Sequence, residues 1–285
     1  MDRFAATKRV AILGIGLNII LLILKLVIGF ISKSQGMIAD GFNSAGDVFA
    51  SVMTYLGNKI ASMPEDKHHP YGHGKAEYIF SMIISFSLLL VTFQVLKSAV
   101  ASIINKQSFI FSWLLVIVAS ITIVLKAALW LYTRSVGRKW DNLLIMANAE
   151  DHRNDILITL STLLGIMLGA GNIYWVDGLV GIGISLWIGY TGIRIFISAY
   201  DVLMDTNIDQ EYLARLKEEI ESIEGVDHVD SINAKPIGVS FIVIVKVSVS
   251  GTMTVEQGHS IAAQIKEKIK KKKNIGDVVV HVNPA

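Results

Sequence analysis

The sequence predicts an α-helical membrane protein: six transmembrane helices, followed by a small cytoplasmic α+β domain of order α-β-β-α-β. Three observations predict it. Apolar residues make up 52% of the 285 positions and the mean hydropathy is +0.53, above what a soluble domain of this size carries. Six segments approach the ~20 mostly apolar residues that a bilayer-spanning helix needs. From about residue 205 onward that character stops, and amphipathic helix and strand patterns replace it. The division falls at 1–205 for the membrane part and 206–285 for the soluble part.

The spans lie near 10–32, 36–58, 78–104, 109–133, 142–170 and 174–200, and the second and fifth are the least apolar. The opening "MDRFAATKRV" leads into the first span with no cleavage-type site, so that span is expected to persist as a helix. With six spans both termini share a side. That side carries Arg3, Lys8, Arg9, Lys59, Lys67, Lys75, Arg134, Arg138 and Lys139 near the helix ends, against Lys33, Lys97 and Lys106 opposite. The basic excess predicts cytoplasmic termini in the cell membrane.

In the soluble part, Leu213, Leu216 and Ile220 recur at helical spacing within 209–222. Val239, Phe241, Val243, Val245, Val247 and Val249 alternate as a strand over 239–249. A short strand near 228–235, a helix over about 254–272 and a strand over about 276–283 complete the domain, with no internal repeat and no long linker. The run "KEKIKKKK" (266–273) is a solvated, dipole-favoured helix end, with anionic lipid as its alternative partner.

Composition excludes several classes. No cysteine occurs, which removes disulfides, thiolate metal sites and thiol catalysis. A net charge of +2 gives no reason to expect nucleic acid as a partner.

The informative residues are charges inside apolar segments, which cost at least ~2.5–3.5 kcal/mol at the bilayer centre and mark function by default. "NAEDHRNDIL" (148–157) carries Asp151 and Asp155, four apart and so on one helix face. "ADGFNSAGD" in the second span carries Asn43 and Asp47 at the same spacing. At 1.5 Å per residue the fifth-helix pair lies ~14–20 Å from one surface and the second-helix pair ~10–17 Å from the other. Both therefore reach the middle of a ~30 Å core. Four oxygen-bearing side chains at matched depth can enclose one divalent cation. Asp40 reads as a cap or entrance residue, while Glu150, His152 and Arg153 lie off the pair's face and read mainly as partners for other helices, with a proton relay as the alternative role.

These features together, with the loop "HHPYGHGKAE" (68–77), resemble the cation diffusion facilitator family of dimeric, proton-coupled exporters of divalent metal. The resemblance covers essentially the whole chain. Zinc exporters of the family use histidine in the four-residue membrane site, whereas this chain has Asn43, Asp47, Asp151 and Asp155. Oxygen donors suit harder ions and imidazole suits zinc, so the site resembles the manganese-exporting branch. Mn²⁺ is the expected cargo, with Fe²⁺ and then Zn²⁺ as alternatives. Protons are the expected counter-ion, competing with metal for the same oxygens, and no resident cofactor is expected.

The resemblance further implies a second metal site at Asp66, His69 and His73, where three N/O donors suit zinc or similar ions; His68 is a bystander. It implies a pairing of Lys75 with Asp205 that locks the dimer's helices. Zinc-type members carry a two-metal cluster in the soluble domain. Here His259 and His281 occupy ligand positions, but Lys246 stands where a histidine belongs and Asn283 where an aspartate does. A degraded cluster, with the domain serving mainly dimerisation, is the expectation, and His228 has no assigned role.

The expected partners are a divalent metal, membrane lipid and a second copy of the chain. Among rivals, an intramembrane metallohydrolase lacks an H-E-x-x-H motif or a nucleophile beside a base. A passive cation channel would conduct without exchanging protons. A scaffold explains the spans but leaves the intramembrane carboxylates without a purpose. The expectation is a transporter and not an enzyme.

Overall fold

The computed structural model describes residues 2–31, 35–105, 113–169, 174–207, 209–238, 240–272 and 274–285. Six long helices come first: α1 (Arg3–Ile31), α2 (Gln35–Ala61), α3 (Ala76–Asn105), α4 (Trp113–Trp140), α5 (Leu143–Gly169) and α6 (Tyr174–Leu203). Their ends outrun the apolar segments, most clearly in α1 and α4, because apolarity marks where a helix meets lipid and not where its hydrogen bonding stops. Arg134, Arg138 and Lys139 all sit within the last turns of α4.

Among the described residues α1, α3, α4 and α6 are long and apolar enough to cross a membrane by length and composition. α2 and α5 are the polar helices of the bundle: α2 buries Ser44, Asp47, Ser51, Thr54 and Asn58, and α5 buries Asn148, Asp151, His152 and Asn154. The outward faces are apolar, with Leu90 73% and Phe93 69% exposed. This inverted arrangement is the one a lipid-embedded bundle requires, because apolar side chains gain nothing by leaving lipid while polar groups gain partners inside.

Close helix contacts use glycine. A Cβ on Gly14 of α1 would lie 2.8 Å from Ser51 Oγ of α2, and one on Gly57 would lie 2.7 Å from Phe80 and 2.8 Å from Leu144. Polar ties fix one end of the bundle. Arg3 meets buried Glu77 at 2.7 Å and Asn58 Nδ2 donates to the Phe4 carbonyl at 3.1 Å. Asn142 caps α5, its Oδ1 accepting from the Ile145 N–H at 2.9 Å.

The contacts divide the chain into two units, Met1–Ser62 with Ala76–Tyr200, and Met63–Lys75 with Asp201–Ala285. The loop between α2 and α3 thus belongs to the unit that holds the soluble domain. That unit contains α7 (Gln210–Glu221), β1 (Val226–Ile237), β2 (Ser240–Val249), α8 (Val255–Lys270) and β3 (Ile275–Pro284). The sheet order is β1-β2-β3, with β1 antiparallel and β3 parallel to β2. β1 is longer than its sequence pattern indicates. Register shifts after Val226 and Val229 break the alternation, while pairing to β2 continues through Ile237↔Ser240.

One face of β2 supplies the core: Val243, Val245 and Val247 are fully buried against Ile220 of α7 and Ile265 and Ile269 of α8. Asp209 caps α7, and Thr254 with Gln257 forms a capping box on α8. The lysine run closes α8 with ion pairs: Lys272 to Glu219 at 2.5 Å and Lys266 to Asp277 at 3.2 Å.

Candidate metal sites

α5 turns Asn148, Asp151, His152 and Asp155 toward the bundle interior, and all but Asp155 are nearly or wholly buried. One donor atom each from Asp151, His152 and Asp155 lies within 4.8 Å of the others. His152 therefore belongs with the carboxylates, which corrects the reading that set it apart. It is about 100° around the helix from Asp151, but an imidazole is long enough to reach back across that angle. Both of its ring nitrogens and Asp151 Oδ2 have no hydrogen-bond partner among the described residues. Its sequence neighbours do face elsewhere: Arg153 pairs with Glu150, donates to Thr191 Oγ1 at 3.1 Å and stacks on Trp187 of α6 at 5.4 Å.

α2 brings Asp47 to the same place. Asn18 of α1 holds this stretch of α2, its Nδ2 donating to the Asp47 carbonyl and to Ser51 Oγ, each at 3.1 Å. The side chains of Asn43 and Asp40 lie outside the described residues, although both positions are in α2.

The joint between α2 and α5 is a residue the sequence reading passed over. Lys126 of α4 is fully buried, and its Nζ lies 2.8 Å from Asp47 Oδ2 and in contact with Asp155 Oδ2. Asp151 is within electrostatic reach of the same three groups. The signal was available: Lys126 is the one charge in 113–133, and the rule that singles out the carboxylates applies to it equally. Lys25 is likewise the lone charge of its span; it is buried and donates to Ser44 Oγ at 3.1 Å.

In the α2–α3 loop Asp66 gathers both histidines. His69 Nδ1 lies 3.3 Å and His73 Nε2 3.5 Å from its carboxylate, and the rings are 4.4 Å apart. The Asp66 Oδ1 also accepts the backbone N–H of His68 at 2.8 Å and of His69 at 2.6 Å. The His69 bond, above all, holds the Asp66 carboxyl below its ordinary range. Nδ1 of His73 faces the Pro64 carbonyl at 3.1 Å, an arrangement that fixes the tautomer and leaves Nε2 for a ligand. The His68 ring is not part of the cluster.

Gly74 and Gly238 pack backbone to backbone: a Cβ on Gly238 would lie 2.9 Å from the Gly74 Cα, and Gly238 itself has φ +74°. Beside this contact Lys75 Nζ lies 2.5 Å from Asp205 Oδ1, and Lys235 of β1 reaches Asp205 Oδ2 at 2.9 Å. The pairing is within one chain, and Lys235 is a partner that sequence reasoning did not find. The Lys75 bond, then the Lys235 bond, pulls the Asp205 carboxyl below its usual range.

On the soluble domain, His259 and His281 join no group of three close donors among the described residues. Lys246 is in register with His281 across β2 and β3. The nearby polar cluster is instead built on Asp230, which accepts from Ser248 Oγ at 3.2 Å and Asn283 Nδ2 at 3.1 Å and sits 3.1 Å from His228 Nε2.

A helical bundle with an inverted polar interior, intramembrane carboxylates from two helices and an appended αββαβ domain define a multi-pass membrane protein for a cation. Residues 11–204 match the cation efflux transmembrane domain and residues 208–285 the cation efflux protein cytoplasmic domain, so the chain belongs to the cation efflux, or cation diffusion facilitator, family. It is accordingly a transporter of metal cations, not an enzyme, and forms a homodimer. The chain is 30% identical to manganese efflux system protein MneP of Bacillus subtilis, over 99% of this chain and 98% of that one. It is 31% identical to MneS of the same organism, over 100% and 99%. Magnetosome protein MamM of Magnetospirillum gryphiswaldense is 29% identical, over 91% of this chain and 82% of that protein.

Proposed function

We propose that this chain exports Mn²⁺ from the cytoplasm in exchange for protons, holding the metal at Asn43, Asp47, Asp151 and Asp155. The observation that carries the reading is the convergence of Asp47 from α2 and Asp155 from α5 on one buried cationic centre, the Lys126 ammonium. Carboxylates from two helices already hold a cation there, and Asp151 adds a third within reach. Oxygen donors favour manganese over zinc on grounds of hardness. MneP and MneS, similar over their full length, carry manganese efflux in their names. Coupling is by competition: cytoplasmic metal displaces protons from the carboxylates, and external protons displace metal once the site faces outward. Rocking of α2 and α5 against the remaining helices supplies alternating access. The basic excess at one set of helix ends puts both termini in the cytoplasm, and with them the Asp66–His69–His73 loop as a second metal-binding position.

An Fe²⁺ or Zn²⁺ exporter is the second reading, favoured by one observation: His152 sets an imidazole against Asp151 and Asp155, the donor those ions accept readily.

Transport in proteoliposomes with a trapped pH dye tests both, with Mn²⁺, Fe²⁺ and Zn²⁺ added separately and Asp151→Ala as blank. Mn²⁺ flux with opposite proton movement, lost in the variant, is expected. Zinc flux without manganese flux would transfer the claim to the second reading, and flux in Asp151→Ala would remove the site assignment.

A further inference from the structure

We propose that Lys126 sets the affinity of the transport site: a tethered ammonium that exchanges with the metal ion on Asp47 and Asp155. The inference rests on the site assigned above. Lys126 Nζ is fully enclosed and bonds one carboxylate oxygen from each of the two helices. Those are the contacts a divalent ion would make. A divalent ion and an ammonium cannot both sit against the same pair of oxygens, because like charges at that separation repel strongly where water is excluded. Metal entry therefore requires Lys126 to withdraw, and metal release is assisted by its return.

A resting place for the displaced ammonium exists on its own helix. Thr122 lies one turn earlier on the same face, and its Oγ1 is buried with no hydrogen-bond partner among the described residues. On α5 the Asn148 amide oxygen is likewise buried without a partner among them. Both offer acceptors inside the bundle, so the lysine need not reach water.

Two consequences follow. Metal binding is weaker than three carboxylates alone would give, since each bound ion must first dislodge a cation. Release is correspondingly eased, because the lysine returns to Asp47 and Asp155 as the ion leaves. Removing the ammonium should therefore tighten binding and slow the cycle at once. Loss of a residue that merely holds helices together would weaken both.

The test uses full-length protein. Equilibrium Mn²⁺ binding in detergent and Mn²⁺ transport in proteoliposomes are measured for wild type, Lys126→Met, Lys126→Gln and Lys126→Arg, beside Asp151→Ala. Lys126→Met is expected to bind Mn²⁺ ~10-fold more tightly or better, with both the half-saturating concentration and the maximal rate of transport reduced. Lys126→Arg, which keeps the charge, should show no gain in affinity. If the methionine variant does not assemble, Lys126→Gln carries the same expectation. Unchanged or weaker Mn²⁺ binding in the folded neutral variants would overturn the proposal. Asp151→Ala separates the two claims. If that variant binds and transports like wild type, the transport site itself is misassigned. If it is inactive while the neutral lysine variants gain no affinity, only the role of Lys126 fails.

Discussion

The membrane bundle and the soluble domain are built with opposite insides. The domain buries Val243, Val245, Val247, Ile265 and Ile269 and turns its lysines and glutamates outward. The bundle buries Asp47, Lys126, Asn148, Asp151 and His152 and turns Leu90, Phe93 and Val124 outward. Water drives the first arrangement through apolar burial. Lipid supplies no such force between helices, so the second depends on close glycine contacts and on polar groups that have nowhere else to go. Function is therefore marked by groups whose burial stability does not account for. A buried valine in the domain explains itself by stability, whereas a buried lysine between two aspartates in the bundle does not.

The largest effect should come from removing a bundle carboxylate. Asp155→Ala should take metal transport to background while leaving the protein inserted and dimeric, measured by Mn²⁺ flux beside size-exclusion chromatography; retained flux would mean that the buried charges are only structural. The counterpart in the domain is Ile265→Ala. Truncating a fully buried isoleucine costs about 2–5 kcal/mol, so the domain's thermal transition should drop while metal binding in the membrane persists. Next in size is Gly57→Leu. Its side chain would meet Phe80 and Leu144 where a single Cβ already comes within 2.8 Å of both. Overpacking of this kind costs about 1–3 kcal/mol, and reduced yield of folded protein is the readout.

Smaller effects come from exposed ion pairs. Asp205→Asn removes the charge that Lys75 and Lys235 share, worth about 0.2–1 kcal/mol per pair at such exposure. Because the folded Asp205 carboxyl is held below its ordinary value by Lys75 and then Lys235, its contribution is present above the unfolded value near 3.8 and fades as pH falls through the folded one. His228 has the opposite sign. Asp227, then the charge of Asp230, raises it above 6.5. Its contribution is therefore full below that value and is lost as pH rises through the folded one. Thermal melts at pH 5 to 8 on wild type and His228→Asn should converge at the alkaline end; parallel curves would remove His228 from the account.

The elements were legible because each has a period the eye can count. Six long helices, four of them apolar enough to cross a membrane, the α7 triad Leu213, Leu216 and Ile220, and the β2 alternation from Phe241 to Val249 are present among the described residues, which do not include Val239. β1 was legible only in part, since its bulges break the alternation that marks a strand. The i,i+4 pairs drew attention to α2 and α5 because charge in an apolar context is conspicuous and helical spacing fixes their common face. Lys235 was out of reach: nothing in a surface lysine on an irregular strand announces that it meets Asp205, thirty residues away.

Hydropathy and helical period are local properties of a chain, and they were enough to assign the solvent of each half, the long helices, the order of the soluble domain's elements and the i,i+4 polar pairs of α2 and α5. Tertiary packing alone sends Lys126 of α4 between Asp47 and Asp155 and folds His152 back toward the carboxylates. It also decided that the α2–α3 loop packs with the soluble domain through Gly74 and Gly238. These are encounters between segments distant in sequence. They depend on how helices rotate and how closely backbones approach, and no single segment encodes either.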